Sequence, residues 1–365
     1  MILIKPSQLI FLVLILPILT KSPLINSEPV NAWAARTHGW LSEVAIRLMP
    51  SPWDTRLNNY LQFFHVHSEE PDIIRHQASG VEYMKEAARH HVDADVRPDI
   101  YGNATHHPQP EFDMTYNSDD PRKSSDYQLG VAPWAVENWT IRLSEDLLIY
   151  DWDSEKILMD MCMLAHYLQD SWMPFHAVSY YDGQKVPVYG PDAGLFYKGG
   201  QKGIHNYIEK DLIENLYTGE INDILEKVTG EAQHVNPYMA SLRGILTGQA
   251  VADEILNVVD VYGYTFGDNT WLRAVWDLTG DPEGNLTKRL INASIETANV
   301  WYTAFKDAGL IEKETTTSTA ITTTTTTTTK SQTSVGSTDL SNLELIVIAS
   351  LTGVSILTII KRRKI

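Results

Sequence analysis

The chain has 365 residues, with 46 acidic against 29 basic side chains and a formal net charge of −17. Such an acidic balance argues against nonspecific binding of a polyanion, because phosphate backbones demand Lys and Arg. A single cysteine, Cys162, excludes an intramolecular disulfide, so the fold must be held by its own core.

The first segment, residues 1–32, reads as a secretory signal. Lys5 precedes the apolar run Leu9 to Leu16, and Val30-Asn-Ala32 is an A-x-A-like cleavage site directly before Trp33. An uncleaved anchor, or a cut near Thr20 followed by trimming, is the alternative. Residues 33–312 form the expected main domain, long enough to bury a core without staples. Apolar residues recur there at helical spacing, beginning with the amphipathic run Trp40 to Met49. The same spacing returns over Leu61 to Phe64, Tyr83 to Ala88, Trp134 to Tyr150, Ile157 to Leu168, Ile204 to Leu216, Met239 to Val261 and Leu286 to Phe305. Asp153-Ser154 and Asn236-Pro237 are helix-start signals. Lys185 to Tyr189 is short and contains Pro, so it reads as loop or a stray hairpin. Long loops are expected at Arg97–Gln128 and Tyr180–Gln201, and His106 and His107 read as exposed loop residues. The expected class is therefore all-α, in one multi-helical domain.

Beyond it, residues 313–342 are Thr- and Ser-rich and suit an extended, O-glycosylated stalk. Residues 343–361 are expected to form a transmembrane helix, followed by a basic cytoplasmic tail at 362–365. Four Asn-x-Ser/Thr acceptor sequences, at Asn103, Asn138, Asn285 and Asn292, agree with export. Together these features predict an exported protein at the cell surface, with its main domain outside and its C-terminus anchored in the membrane. No obligate protein partner is evident.

The chemistry concentrates in two motifs. His166-x3-Asp170-x5-His176 places His166 and Asp170 one turn apart on one helix face, and Pro174 then breaks the helix so that His176 can turn back. His205-x3-Glu209 repeats the spacing on a second helix. One such pair alone fits an ordinary amphipathic surface. Two pairs and a further His point to a metal, and imidazole nitrogen with carboxylate oxygen suits zinc. Cys162 lies one turn before His166 and reads as a buried packing residue.

In these motifs the chain resembles the zinc-dependent phospholipase C family, which shares its helical fold with the single-strand-specific zinc nucleases. The match runs in order through Trp33, His38, Asp72, His90 of His90-His-Val-Asp93, His166, Asp170, His176, His205 and Glu209. Gln169 and Met173 stand where relatives commonly carry Gly and Gln. The resemblance implies a buried trinuclear zinc site. Asp72, His90, His166 and Asp170 would hold the first ion, and His176, His205 and Glu209 the second. Trp33 would hold the third through its free amine and carbonyl oxygen, with His38 and a bridging Asp170. A maturation cut that leaves Trp33 first is therefore expected. Paired zincs can clamp a phosphate and supply hydroxide near neutral pH, so no side-chain nucleophile is needed.

The implied activity is hydrolysis of phospholipid to diacylglycerol and a phosphorylated head group, with Asp72 also counted as catalytic. Glu209 resembles the phospholipase branch. Asp72-x-x-Arg75 resembles the nuclease pattern, in which the Arg steadies phosphate, so single-stranded nucleic acid is the alternative substrate. Tyr167, Trp172, Tyr180 and Tyr181 read as packing residues first and as pocket walls second. A noncatalytic, zinc-stabilised adhesion protein is a further alternative, but structural zinc sites are closed and Cys-rich.

Overall fold

The computed structural model describes residues 35–96, 106–113, 115, 124–183, 186–187, 197–198, 201–262, 266–280, 284–312, 347–351 and 354–358. Helices dominate. They are α1 (Ala35–Leu48), α2 (Trp53–Asn58), α3 (Leu61–His67), α4 (Glu70–Gln77), α5 (Gly80–Ala88), α6 (Ala132–Asp146) and α7 (Glu155–Trp172). After α7 come a 3₁₀ turn (Pro174–Ala177) and a minimal antiparallel pair, β1 (Val186–Pro187) with β2 (Tyr197–Lys198). Next are α8 (Ile204–Asn206), which runs into a π-helix (Tyr207–Leu216), and α9 (Thr218–Leu225). The last helices are α10 (Pro237–Tyr262), α11 (Asn269–Val275) with a π turn (Trp276–Gly280), and α12 (Asn285–Asp307).

The long α7 is the axis of the domain. Ser154 caps it, accepting from the Ile157 N–H at 3.4 Å, and Glu155 sits favourably in its first turn. From Met161 to Trp172 every residue is buried, so the helix is enclosed rather than amphipathic. Neighbours α6, α10 and α12 pack around it. Met173, preceding Pro174, is extended (φ −73°, ψ 124°), as a residue before proline prefers, and the chain leaves the helix there. Trp301 of α12 donates to Met161 O at 3.1 Å. At the N-terminal end of α7, Trp53 packs edge-on against Trp152 (5.5 Å) and Phe305 (4.8 Å). Aromatic pairs in this geometry add to the burial term.

All eight periodic segments fall on helices, although α1 stops at Leu48 and α6 at Asp146, and Asn236 also caps, accepting from Met239 N–H at 2.9 Å. The short helices α2, α4, α9 and α11 carry too few turns for periodicity to announce them. Cys162 is buried and free, and burial pushes its thiol pKa up, as befits an inert packing residue.

The chain divides into two units, Met1–Glu314 and Thr315–Ile365. In the second, Val347–Leu351 and Val354–Thr358 pair as antiparallel strands, where a membrane helix over 343–361 is expected from sequence. Val347, Ile348, Val354 and Ile356 are β-branched, and Thr352-Gly353 between them has hairpin-turn composition. Local preference thus competes with the helix that apolarity alone suggests. No helix among the described residues is long and apolar enough to cross a membrane. The signal segment 1–32, Trp33 and the stalk 313–342 lie outside the described residues.

Candidate metal centre

Six segments bring their donors to one buried point. His38 comes from α1, Asp72 from α4, His90 from the turn after α5, and His166 and Asp170 from α7. His176 sits in the 3₁₀ turn. His205 and Glu209 span the junction of α8 with its π-helix, a distortion often found at functional sites. Each of these eight side chains is buried, with no residue more than 4% exposed. They fall into three groups with the spacing to hold a metal ion: His38–His166–Asp170, Asp72–His90–His166 and His176–His205–Glu209.

Hydrogen bonds behind the ligands decide which ring nitrogen faces inward. His166 Nδ1–H donates to Ser68 O (2.8 Å), His176 Nδ1–H to His90 O (2.5 Å) and His38 Nδ1–H to Gln169 Oε1 (2.7 Å). This assignment leaves each Nε2 as a bare lone pair. The lone pairs converge. His176 Nε2 lies 3.0 Å from His205 Nε2, which lies 2.8 Å from Glu209 Oε1. His166 Nε2 lies 3.2 Å from both His90 Nδ1 and Asp170 Oδ2. Asp72 completes this second cluster at 3.8–3.9 Å.

Burial sets the protonation states. It lowers His166, drives His176 well below the usual imidazole range, and takes His90 and His205 down to about 3. All four rings are thus neutral at pH 7 and ready to bind a cation. Burial also raises Asp72 to about 6 and Glu209 well above the carboxylate range. Asp170 Oδ1, Glu209 Oε2 and His205 Nδ1 are buried with no hydrogen-bond partner. Neither Asp72 oxygen accepts a well-directed hydrogen bond, although Arg75 Nη2 lies 2.7 Å from Oδ1. Orphaned acceptors at this density are costly, and a multivalent cation would compensate them. The donor set therefore fits metal ions.

The groups overlap in a way that partitions the ligands. His166 can offer only Nε2, because Nδ1 is committed to Ser68, so it serves one ion. Asp170 offers two oxygens. Oδ2 faces His90 at 2.7 Å, while Oδ1 lies 3.5 Å from His38 Nε2. Its carboxylate is placed to bridge two positions. Trp33 lies outside the described residues.

Two residues missed by sequence reading support the site. Glu86, one helical turn before His90, lies 3.5 Å from His90 Nε2. Its carboxylate is held by Tyr167 OH and by Arg89 Nη1 at 2.7 Å. The spacing Glu86-x3-His90 was its available signal. Gln169 orients His38, and its amide donates to Ser42 Oγ (3.2 Å) and Thr297 Oγ1 (3.3 Å). The small residue expected before Asp170 is thus replaced by one with a task. Gly130 secures the His90 segment from behind. Its φ is +105°, and a Cβ there would lie 2.0 Å from His91 O.

Other candidates fall elsewhere. His91 turns back to Ala87 O (3.0 Å), and His106 pairs with Glu137 (3.1 Å). Tyr180 is buried against Asp253, Tyr167 is fully buried and Trp172 is 6% exposed. Tyr181 is 40% exposed, with its ring 6.4 Å from that of His205. No family model matches the chain, and no curated protein matches it.

Proposed function

We propose that the protein is an exported, zinc-dependent phosphodiester hydrolase of the phospholipase C type. The observation that carries the reading is the convergence of neutral imidazole and carboxylate lone pairs in adjacent buried groups, with no cysteine among the donors. An oxygen- and nitrogen-only set suits zinc, and adjacent divalent ions suit phosphodiesters. Asp72, His90, His166 and Asp170 would hold one ion, and His176, His205 and Glu209 another. His38, Asp170 and the Trp33 amine would hold a third. Bound zinc supplies Lewis acidity toward phosphoryl oxygens and makes water acidic enough to act near pH 7.

The residues of the chain supply the rest. Arg75 is only 13% exposed at its side chain, pairs with Asp72, and lies close enough to both main groups to lower His205 and oppose the rise of Glu209. That charge is suited to orienting a phosphate oxygen over the centre. Tyr181 offers an aromatic face beside His205 for the group attached to that phosphate. Burial of the ligands keeps bulk water from screening these charges.

Phospholipid is the preferred substrate, on the strength of Glu209 and the −17 charge. The Asp72–Arg75 pair at 2.7 Å favours the second reading, a nuclease for single strands. Export and surface attachment rest on sequence: the apolar leader before Trp33, and the apolar segment Leu345 to Ile360 followed by Lys361 to Lys364. The zinc-loaded protein is expected to release phosphorylated head group from phospholipid vesicles faster than it cleaves single-stranded DNA or RNA. Rapid nucleic-acid cleavage with inert phospholipid would reverse the substrate choice.

A further inference from the structure

The corner that aims His176 is built by residues far from the metal motifs. Arg289 of α12 is 3% exposed, and no carboxylate pairs with it among the described residues. A buried, unpaired guanidinium is expensive, so its contacts matter. Its Nε donates to Trp172 O (2.5 Å), and its Nη2 donates to Gly244 O (2.9 Å) and reaches Ser171 O (3.5 Å). Nη1 donates to Thr247 Oγ1 (2.8 Å). The carbonyls of Ser171 and Trp172 belong to the last turn of α7, the negative end of its dipole. One planar fork therefore ties that turn to α10, directly before the chain bends toward His176.

The facing side of α10 is cut away to admit it. Gly244 and Gly248 are four apart and share a face. A Cβ on Gly244 would lie 2.5 Å from Ser171 O, and one on Gly248 would lie 2.7 Å from Ala177 Cβ and 3.1 Å from Arg289 Nη2. Ala177 directly follows His176. Ser171 Oγ and Ser241 Oγ, 2.6 Å apart, add a further tie between α7 and α10.

We propose that Arg289, seated in the Gly244–Gly248 notch, is a positioning residue. It fixes the α7–3₁₀ corner so that His176 meets His205 and Glu209 while staying in register with Asp170. The register is close, since His176 Nδ1 lies 3.7 Å from Asp170 Oδ2. This inference rests on the metal reading above and adds to it a residue that touches no ligand atom.

The test is zinc titration of the chelator-stripped full-length protein, counting ions and fitting each affinity. Variants are Arg289→Met, Arg289→Lys, Gly248→Ala, His176→Ala and the Arg289→Met/His176→Ala double. Arg289→Met and Gly248→Ala should weaken one zinc class by about tenfold or more, on the scale of supporting-shell substitutions. That class should be the one His176→Ala removes, and in the double variant the remaining zinc should bind as it does to His176→Ala alone. Arg289→Lys keeps the charge but loses the fork, so it should recover part of the affinity. Gly248→Ala keeps the comparison usable if Arg289→Met does not fold, because Ala is the better helix former. Equal weakening of every zinc class, or an unchanged affinity in the class His176→Ala removes, would overturn the proposal. A wild-type protein that takes up no zinc would overturn the metal reading itself, a result distinct from either.

Discussion

On the proposed reading, His166→Ala is expected to abolish hydrolysis, lowering turnover by ~10³-fold or more, since bound metals would contribute several kcal/mol of transition-state stabilisation. The same change should lower bound zinc. His166 is the one residue common to two of the three metal-capable groups, and it is fully buried. Its Nε2 sits 3.2 Å from both His90 and Asp170, so its removal leaves those donors facing a gap. Truncation also strands Ser68 O, which loses its imidazole donor. Metal content and rate should therefore fall together. His91→Ala is the matched control, because His91 faces Ala87 O and belongs to none of the groups. Activity in His166→Ala close to wild type, with zinc retained, would remove α7 from the centre of the mechanism.

Asp170→Asn is expected to cost ~10²-fold or more in rate, while Asp93→Asn changes it by no more than about twofold, reflecting the gap between a ligand and a bystander. Both residues are buried, but only Asp170 belongs to a metal-capable group. Asp170 presents Oδ2 to His90 and His166 and Oδ1 to His38, so its charge is shared between two positions. An amide keeps the shape but replaces one carboxylate oxygen with an NH₂ that cannot ligate. Asp93 is held well above the carboxylate range by burial, with Asp95 adding to the rise. That shift favours its neutral form, and Asp93 belongs to none of the metal-capable groups, so an amide there changes little that the site uses. Kinetics of both variants at saturating zinc check the contrast. Equal, mild losses would refute the bridging assignment of Asp170.

The residues that carry chemistry were more legible in the sequence than the residues that aim them. The i, i+4 pairs His166/Asp170 and His205/Glu209 lie on helices, and Pro174 does end α7. Eight donors meet although their sequence separations reach 171 between His38 and Glu209, a convergence that helical periodicity cannot supply. Their order along the chain suggested it through resemblance. Glu86 escaped notice because an acid on a helix face usually points to water, and only packing against Tyr167 gives it another task. Gln169 looked like a departure from pattern until its contact with His38 was visible. Arg289 and the Gly244–Gly248 notch depend on how three helices cross, which no local spacing encodes. The C-terminal segment shows the opposite limit. Its apolarity suggested a helix, but its β-branched residues and Thr-Gly step also satisfy a hairpin, and the strands Val347–Leu351 and Val354–Thr358 follow that preference.

Elemental analysis of the carefully prepared full-length protein, by plasma mass spectrometry against protein concentration, bears most directly on the central claim. The buried donors form three groups, two of which share His166, and the account predicts about three zincs per chain, with fewer in His166→Ala and His205→Ala. Tightly bound zinc should survive dialysis against buffer, and its removal by chelator should abolish phosphodiester hydrolysis until zinc is restored. Protein that is folded, metal-free and unable to take up zinc on titration would contradict the claim.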